Sequence, residues 1–423
     1  MANDVKTTTT KMITLGCRLN AYESEVMAGH AQKAGLTDAV IINTCAVTNE
    51  AVRRGRQTIR RAVRENTGSK IIVTGCAAQI EPKTYAQMDG VDHVLGNAEK
   101  MAVESFTLKK KSNVSDIMKA RTADKSRAGG LIERARAIVQ IQNGCDHRCT
   151  FCIIPFGRGN SRSVPAAEVV RRIASLTAQG FNEVVLTGVD ISSWGEDLPG
   201  KPMLGNLVAR ILKSVPDLPR LRLSSIDSAE VDDELFDLFA TEQRLTPYLH
   251  LSLQHGDNMI LKRMKRRHTR EDAITLCKRL RRVRPDISFG ADIIAGFPTE
   301  TEEMFENSVR LVEECGLAWL HVFPYSARQG TPAAKMPQVS GAVIKRRAKH
   351  LREAGNKTRD MFLRARAYGH DLALIEKGNL ARLADFSPVQ LPQHSVAAKS
   401  IVGQLRPVRI TGYADENLIG ELV

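Results

Sequence analysis

The chain is expected to be an α/β protein in three parts: a parallel α/β domain, a central partial (β/α)6 barrel and a small antiparallel β-barrel. Three observations predict this. Through the first hundred residues, short unbroken apolar runs alternate with longer stretches of helical composition, the pattern of a parallel sheet covered on both faces. A second and longer series of the same kind begins near residue 135. After Tyr325 the chain turns basic and helical, then breaks into short segments punctuated by glycine and proline.

In the first series, Lys11-Met12-Ile13-Thr14-Leu15 leads to Gly16-Cys17, Ala39-Val40-Ile41-Ile42 to Asn43-Thr44-Cys45, and Ile71-Ile72-Val73-Thr74 to Gly75-Cys76. Each run has the length of a buried strand, and residues 20–34 and 49–65 between them have helical length. Such a βαβαβ order makes the strands parallel. The three cysteines then fall at carboxyl ends, the edge where open α/β sheets bind ligands. Although 28 and 31 residues apart in sequence, they should converge. A lone thiol at a strand end is usually a small hydrophobe; three at equivalent ends, in glycine or polar settings, point to a shared ligand.

This first domain is assigned to residues 1–107. Residues 108–134 lose apolar periodicity, carry the glycine pair Gly129-Gly130 and read as a linker. The second series, 135–368, has strand candidates at 137–142, 183–187, 220–224, 248–253, 287–294 and 319–323, with helices such as 166–178, 204–213 and 303–314 between them. Parallel strands in this order suggest an open version of the eight-stranded barrel, with its site at the carboxyl ends. A basic helix at 344–366 follows. Residues 369–423, with segments at 372–375, 380–384, 408–411 and 418–422, form a small β domain of a shape common among nucleic-acid binders.

Apolar content of 43% against 26% charged residues excludes a disordered chain. No apolar run approaches the ~20 residues that span a bilayer, and the N-terminus lacks a signal-peptide pattern, so a cytoplasmic protein without a membrane partner is expected. In that compartment the eight cysteines are better explained by metal binding or catalysis than by disulfides. A net charge of +14 suggests a polyanion, nucleic acid first. Arg53, Arg56, Arg60 and Arg64 recur along one helix face beside the Cys45 loop with no interleaved acids, a candidate phosphate-tracking stripe. A charge run on a helix is also commonly just a solvated face. Residues 262–270, 278–284 and 345–352 add further basic clusters.

After the first barrel strand, GCDHRCTFC sets Cys145, Cys149 and Cys152 at CxxxCxxC spacing. A structural zinc site takes four ligands, and His147, between the thiols, is poorly placed to complete a tetrahedron. A cubane iron–sulfur cluster fits better: one short loop reaches three corners and leaves one iron open to a ligand. Cys277 and Cys315 lie singly in helical stretches and read as structural.

CxxxCxxC with Phe151 before its last cysteine, at the end of the first strand of a six-stranded barrel, resembles the radical S-adenosylmethionine superfamily. The Cys17, Cys45 and Cys76 domain in front resembles that of the radical methylthiotransferases. Blocks such as TLGCRLN, NTCAVT, VTGCAAQ, LTGVDISSWG, HLSLQHGDNMILKRMKRRHTR, DIIAGFPTETEEMF and FPYSARQGTPAAKM extend the likeness along the chain. GCRLN around Cys17 is similar to the branch that acts on threonylcarbamoyladenosine beside the tRNA anticodon.

The resemblance implies two 4Fe-4S clusters, S-adenosylmethionine, and tRNA as substrate through its anticodon stem-loop. The Cys145/Cys149/Cys152 cluster would cleave S-adenosylmethionine to a radical that activates carbon 2 of the modified adenine. The Cys17/Cys45/Cys76 cluster would hold or donate sulfur, and a second S-adenosylmethionine the methyl group. By position at strand ends, Gly188, Asp190, Ser225, Asp227 and Gln254 are candidate cofactor contacts. Gly296-Phe297-Pro298 resembles the superfamily's adenine-contacting turn, although Thr299 stands where many relatives have glycine. An unidentified electron donor and sulfur source are implied, and a monomer is expected. Rival readings are a methylthiotransferase for isopentenyladenosine or a ribosomal-protein aspartate, and an RNA-binding iron–sulfur protein used for electron transfer or sensing.

Overall fold

The computed structural model describes residues 10–122, 135–393 and 401–423. Its first domain runs β1 (Lys11–Thr14), α1 (Arg18–Lys33), β2 (Ala39–Thr44), α2 (Asn49–Glu65), β3 (Lys70–Gly75), the short α3 (Cys76–Ile80) and α4 (Pro82–Ala86), β4 (His93–Leu95) and β5 (Ser112–Asn113). The five strands lie side by side in chain order, all parallel. The apolar runs are unbroken because both faces are covered. Val40, Ile42 and Val73 pack with Ile59 of α2, while Ile41 and Ile72 pack on the other face with Met27 of α1. Thr48 starts α2 cleanly, its hydroxyl accepting from the Ala51 amide at 3.1 Å.

The stretch read as a linker departs from that expectation. Its first half supplies β5, which pairs with β4, and a buried Ile117. A two-residue strand has no periodicity to read. Residues 123–134 of the same stretch lie outside the described residues.

The central domain follows as β6 (Ala137–Gln140), β7 (Gln142–Asn143), α5 (Ile154–Arg158), β8 (Arg162–Ser163), α6 (Ala166–Ala178), β9 (Glu183–Thr187), α7 (Leu204–Ser214) and β10 (Arg220–Leu223). It continues through α8 (Asp233–Thr241), β11 (Tyr248–Gln254), α9 (Asn258–Met264), α10 (Arg270–Val283), β12 (Ser288–Ala295), α11 (Glu302–Glu314) and β13 (Leu317–Pro324). Two parallel three-stranded sheets, β6-β9-β10 and β11-β12-β13, meet through the bridges Leu221 to Leu245 and Ile226 to Leu251. The result is an open (β/α)6 barrel. Leu249, Leu251, Phe289, Ala291 and Ile293 face the helical layer, so the alternate residues Tyr248, His250 and Asp292 face inward.

Beyond it come α12 (Gly341–Arg364), β14 (Gly369–Glu376), β15 (Leu380–Arg382), β16 (Pro388–Gln390), β17 (Leu405–Ala414) and β18 (Asn417–Leu422). The last five close into a barrel around Ile375, Ala381, Val389, Val408 and Leu418. One pair, β16 with β18, is parallel, the others antiparallel. This small barrel seals the amino ends of the central strands. Arg220 donates to the Leu372 carbonyl, Ser288 Oγ to the Asp385 carbonyl, and Phe386 stacks on Tyr248 with ring centres 4.7 Å apart. Among the described residues no helix is long and apolar enough to cross a membrane.

Candidate active site: two cysteine triads joined by one short helix

The first triad sits on the loop after β7. Gly144 turns the chain there with φ +77°, and a side chain would fall 1.8 Å from the Asn160 carbonyl oxygen. The Cys145 amide donates to the Gly159 carbonyl at 3.0 Å, and the Thr150 amide and hydroxyl to the Met264 and Arg263 carbonyls at 3.1 and 2.8 Å. These bonds pin the loop over α9. Burial pushes the Cys152 thiol up to about 12 and raises Cys145, where the Asp190 charge adds to it. Such thiols bind metal only by releasing their protons.

His147 is turned elsewhere: its Nε2 lies 3.1 Å from Asp190 Oδ2 and 3.4 Å from Glu230 Oε1. Hydrogen bonds to those carboxylates raise its pKa, and Arg267 Nη2 lies 2.9 Å from the same nitrogen, so this ring nitrogen is already engaged by side chains other than the thiols. Three thiols on one loop, with the intervening histidine engaged, fit a cubane with one open iron and not a tetrahedral zinc. The nearby group His147, Asp227 and Glu230 has metal-like spacing, but Arg266 already pairs with Asp227 and Arg267 with Glu230.

The expected cofactor contacts divide into two sets. Asp190 faces the triad, Oδ2 3.6 Å from Cys145 Sγ and accepting from Ser193 Oγ at 2.9 Å. Ser225, half-buried, follows β10, and Gln254 ends β11 with φ +70° and lines a cleft with Phe151. The others build walls. A side chain on Gly188 would meet the Gln142 carbonyl at 2.8 Å, and one on Gly296 would meet Ile344 of α12 at 2.5 Å.

Asp227 is buried and accepts from Arg266 Nη2 at 2.9 Å and the Ala229 amide at 3.2 Å. Burial alone would raise its carboxyl, but His268 and Arg266 outweigh it and hold the group well below the usual carboxylate range. Its oxygens are committed to the loop. Pro298 is also buried, while Phe297 meets Phe151 and Tyr325 edge-on, at 6.5 and 5.6 Å between ring centres. Thr299 takes the left-handed φ of +67° that a glycine would adopt freely, and Arg263 Nη1 donates to its hydroxyl at 2.8 Å.

The second set of cysteines meets at the carboxyl edge of the first sheet: Cys17 precedes α1, Cys45 follows β2, and Cys76 opens α3. Gly75 makes the last turn possible with φ +97°; a side chain there would lie 2.3 Å from the Thr44 carbonyl oxygen. Burial first, then the adjacent Cys76 and Cys17 thiols, push Cys45 up to about 11. Arg158, the last residue of α5, reaches across from the central domain and donates from Nε to Cys76 Sγ at 3.0 Å. Its guanidinium also binds Glu23 and Asn20, and Lys100 Nζ lies 2.6 Å from Glu23 Oε2. All three charged groups are buried. Arg158, held charged by the nearby Cys76 thiol and Glu23 despite its burial, places a guanidinium beside three thiols, an environment that fits an anionic cluster. Arg158 was not singled out from sequence; the signal available was a glycine-flanked arginine shortly after the CxxxCxxC motif.

The helix α5 therefore spans both triads, from just after Cys152 to Arg158. Ile153 packs in the core of the first domain, and Gly157 lies so close to Cys76 that a side chain would meet its Cβ at 3.2 Å. A cleft between the domains is lined by Val47 and Thr48, just after Cys45, and by Phe151, Gln254, Asp292 and Tyr325. Asp292 Oδ1 bonds His250 Nε2 at 3.0 Å and His321 Nδ1 at 3.2 Å, and Tyr248 bonds the other nitrogen of His250 at 3.1 Å. Burial opposes ionisation of Asp292, but the two histidines hold its carboxyl well below its ordinary value. Tyr248 and His250 lie two apart on β11, with Asp292 and His321 on the next two strands.

A second cleft is lined by Arg53, Arg56 and Arg60 of the basic stripe. Contrary to the expectation of a stripe without acids, Arg53 pairs with Glu50 at 2.8 Å and Arg56 with Glu81 at 2.9 Å. The partner of Arg56 comes from beyond the next strand. Arg64, further along α2, is exposed. Cys277 and Cys315 are buried together in the central core, as structural residues.

Residues 139–312 match the radical SAM superfamily, and residues 9–96 match the uncharacterized protein family UPF0004. The chain is 49% identical over 404 residues to threonylcarbamoyladenosine tRNA methylthiotransferase MtaB of Rickettsia prowazekii, covering 95% of this chain and 94% of that protein. Its identity to the protein of the same name from Bacillus subtilis is 38% over 337 residues, covering 76% and 74%. It is 34% identical over 377 residues to tRNA-2-methylthio-N(6)-dimethylallyladenosine synthase of Erythrobacter litoralis, covering 84% and 83%. Among solved structures, the radical S-adenosylmethionine methyltransferase TsrM of Kitasatospora setae shares the fold, with TM-score 0.55, 18% identity and coverage of 78% and 75%. The chain belongs to the threonylcarbamoyladenosine tRNA methylthiotransferase family of radical S-adenosylmethionine enzymes.

Proposed function

We propose that this enzyme adds a methylthio group to carbon 2 of N6-threonylcarbamoyladenosine next to the anticodon of tRNA. One observation carries the reading: a single cleft is lined both by residues that follow Cys45 and by Phe151, between Cys149 and Cys152. A base seated there lies beside both triads. When bound, a 4Fe-4S cluster on Cys145, Cys149 and Cys152 would supply reductive cleavage of S-adenosylmethionine, and a second on Cys17, Cys45 and Cys76 would hold or donate the sulfur.

The chain's own residues do the rest. The loop bonds to Met264 and Arg263 fix the first triad, and Asp190 offers a carboxylate to the cofactor's ammonium. Phe151, Phe297 and Tyr325 form an aromatic wall that keeps water from a reactive radical. Arg158 holds positive charge against the second triad. Gln254 and Asp292 present hydrogen-bonding groups in this cleft that suit the hydroxyl and urea of a threonylcarbamoyl substituent better than the hydrocarbon of an isopentenyl one. The basic stripe and the small β domain contact RNA. The protein works as a cytoplasmic monomer, with its electrons and sulfur supplied by other components.

Mass spectrometry of tRNA nucleosides from cells with and without the gene tests this. Loss of the methylthiolated nucleoside with accumulation of threonylcarbamoyladenosine is expected. Loss of methylthio-isopentenyladenosine instead would move the enzyme to the other tRNA branch, and an unchanged nucleoside profile would sink the tRNA reading.

A further inference from the structure

The second cleft carries more than a basic stripe. It forms where the start of α2 meets the chain after β13, and it is lined by Asn49, Arg53, Arg56, Gln57, Arg60 and Arg328, with Glu81 as its acid. Arg328 is 7% exposed and donates from Nη1 to Asn49 Oδ1, yet its buried Nε–H has no acceptor. Arg56 pairs with Glu81 and lies over the ring of the buried Tyr85. Four arginines against one acid line the cleft, a surplus of positive charge and N–H donors that suits an anion with several acceptor oxygens.

The neighbouring cleft says which anion. Thr48 and Ser326 line the cleft beside the triads, while Asn49 and Arg328 line this one. The partition between them is a pair of hydrogen bonds, from the Asn49 amide to Ser326 Oγ at 2.9 Å and from Asn49 Nδ2 to the Ala327 carbonyl at 3.0 Å. Neighbouring residues on two segments thus face two adjoining pockets, one with aromatic walls and a few polar groups, the other cationic. A nucleotide has the same division, a flat base beside an anionic phosphodiester. An acidic protein segment would need no base pocket next door.

We propose that this cleft seats a phosphodiester flanking the reacting adenosine, with Arg328 as its buried anchor. The inference rests on the reading of RNA as substrate. It assigns Arg328, outside the stripe read from sequence, as a residue that positions the target nucleotide.

The test uses the cluster-reconstituted full chain and an anticodon stem-loop RNA carrying threonylcarbamoyladenosine. Single uncharged methylphosphonates replace, in turn, the linkages 5′ and 3′ of that nucleoside. In the unaltered protein one of the two should weaken binding about tenfold, and the same replacement should cost Arg328→Gln nothing further. The comparison is internal to each protein, so it survives a general loss of affinity. Gln57→Glu adds a negative charge at an exposed helical position and should weaken binding several-fold at low salt, less at high salt. Equal methylphosphonate losses in both proteins, or unchanged low-salt binding by Gln57→Glu, would overturn the proposal. Failure of the unaltered protein to bind the RNA at all would instead remove the substrate reading beneath it.

Discussion

Arg158 joins two domains through one guanidinium, contacting Cys76, Glu23 and Asn20 from the end of α5. Arg158→Met would leave Glu23 with Lys100 alone and strip positive charge from the second triad. Breaking a buried pair this way costs about 3–5 kcal/mol, so calorimetry should show a lower Tm and iron analysis a loss of one cluster's iron. Between the triads, Cys149→Ala should abolish formation of 5′-deoxyadenosine, whereas Cys45→Ala should retain it and stop sulfur insertion; retained sulfur insertion would contradict the division of roles. A different buried charge sets the acid limit. Glu183 lies under Arg222, at 2.7 Å, and Arg136, at 2.6 Å, and despite full burial these cations hold it at about 2. Because the folded value is depressed, this stability is present above the ordinary carboxylate range and lost as pH falls from about 4.5 toward 2, roughly 3 kcal/mol in all. Urea denaturation across that window should show the fall in the natural protein and a fall smaller by roughly that amount in a less stable Glu183→Gln, where Asp227 and Asp292 still titrate.

At the scale of elements, the strand-to-cysteine turns are the critical pieces. Gly75 has no room for a side chain beneath the Thr44 carbonyl, so Gly75→Ala should cost upwards of ~2 kcal/mol and displace Cys76; if the Cys17, Cys45 and Cys76 triad holds the proposed second cluster, iron analysis should show part of the iron lost while 5′-deoxyadenosine formation persists. These turns also show what sequence can carry. The strands β2, β3 and β9 were legible because burial on both faces leaves unbroken apolar runs, and the convergence of Cys17, Cys45 and Cys76 followed from strand direction alone. The strands β4, β5 and β16 have two or three residues each, shorter than any period, and β16 opens with a proline that reads as a breaker. Helix α5 holds a proline and a glycine in five residues and reads as loop. Site residues at strand ends were found, but their roles were not all separable. Asp227 and Asp190 look alike in sequence, and only the arrival of Arg266, 39 residues on, commits Asp227 to the wall.

For the whole molecule, the C-terminal barrel is part of the structure of the central one as well as a candidate RNA contact. Glu376 lies 2.6 Å from Arg136, Phe386 covers Tyr248, and Trp319 packs edge-on to Phe386. Ending the chain at residue 368 would uncover these rings and leave Arg136 and Arg220 short of partners. The truncated protein should therefore melt several degrees lower and expose apolar surface to dye, even without RNA; an unchanged melting profile would show the two barrels to be independent. The segment from Ile153 to Arg158 has an equivalent consequence for descent. It is encoded with the barrel yet built into the first domain, so exchanging either domain alone would break its packing. A chimera fused at the apparent boundary near residue 135 should assemble poorly, and regain activity once these six residues come from the parent that supplied the sheet. Recombination would have to respect that seam, which lies inside a motif.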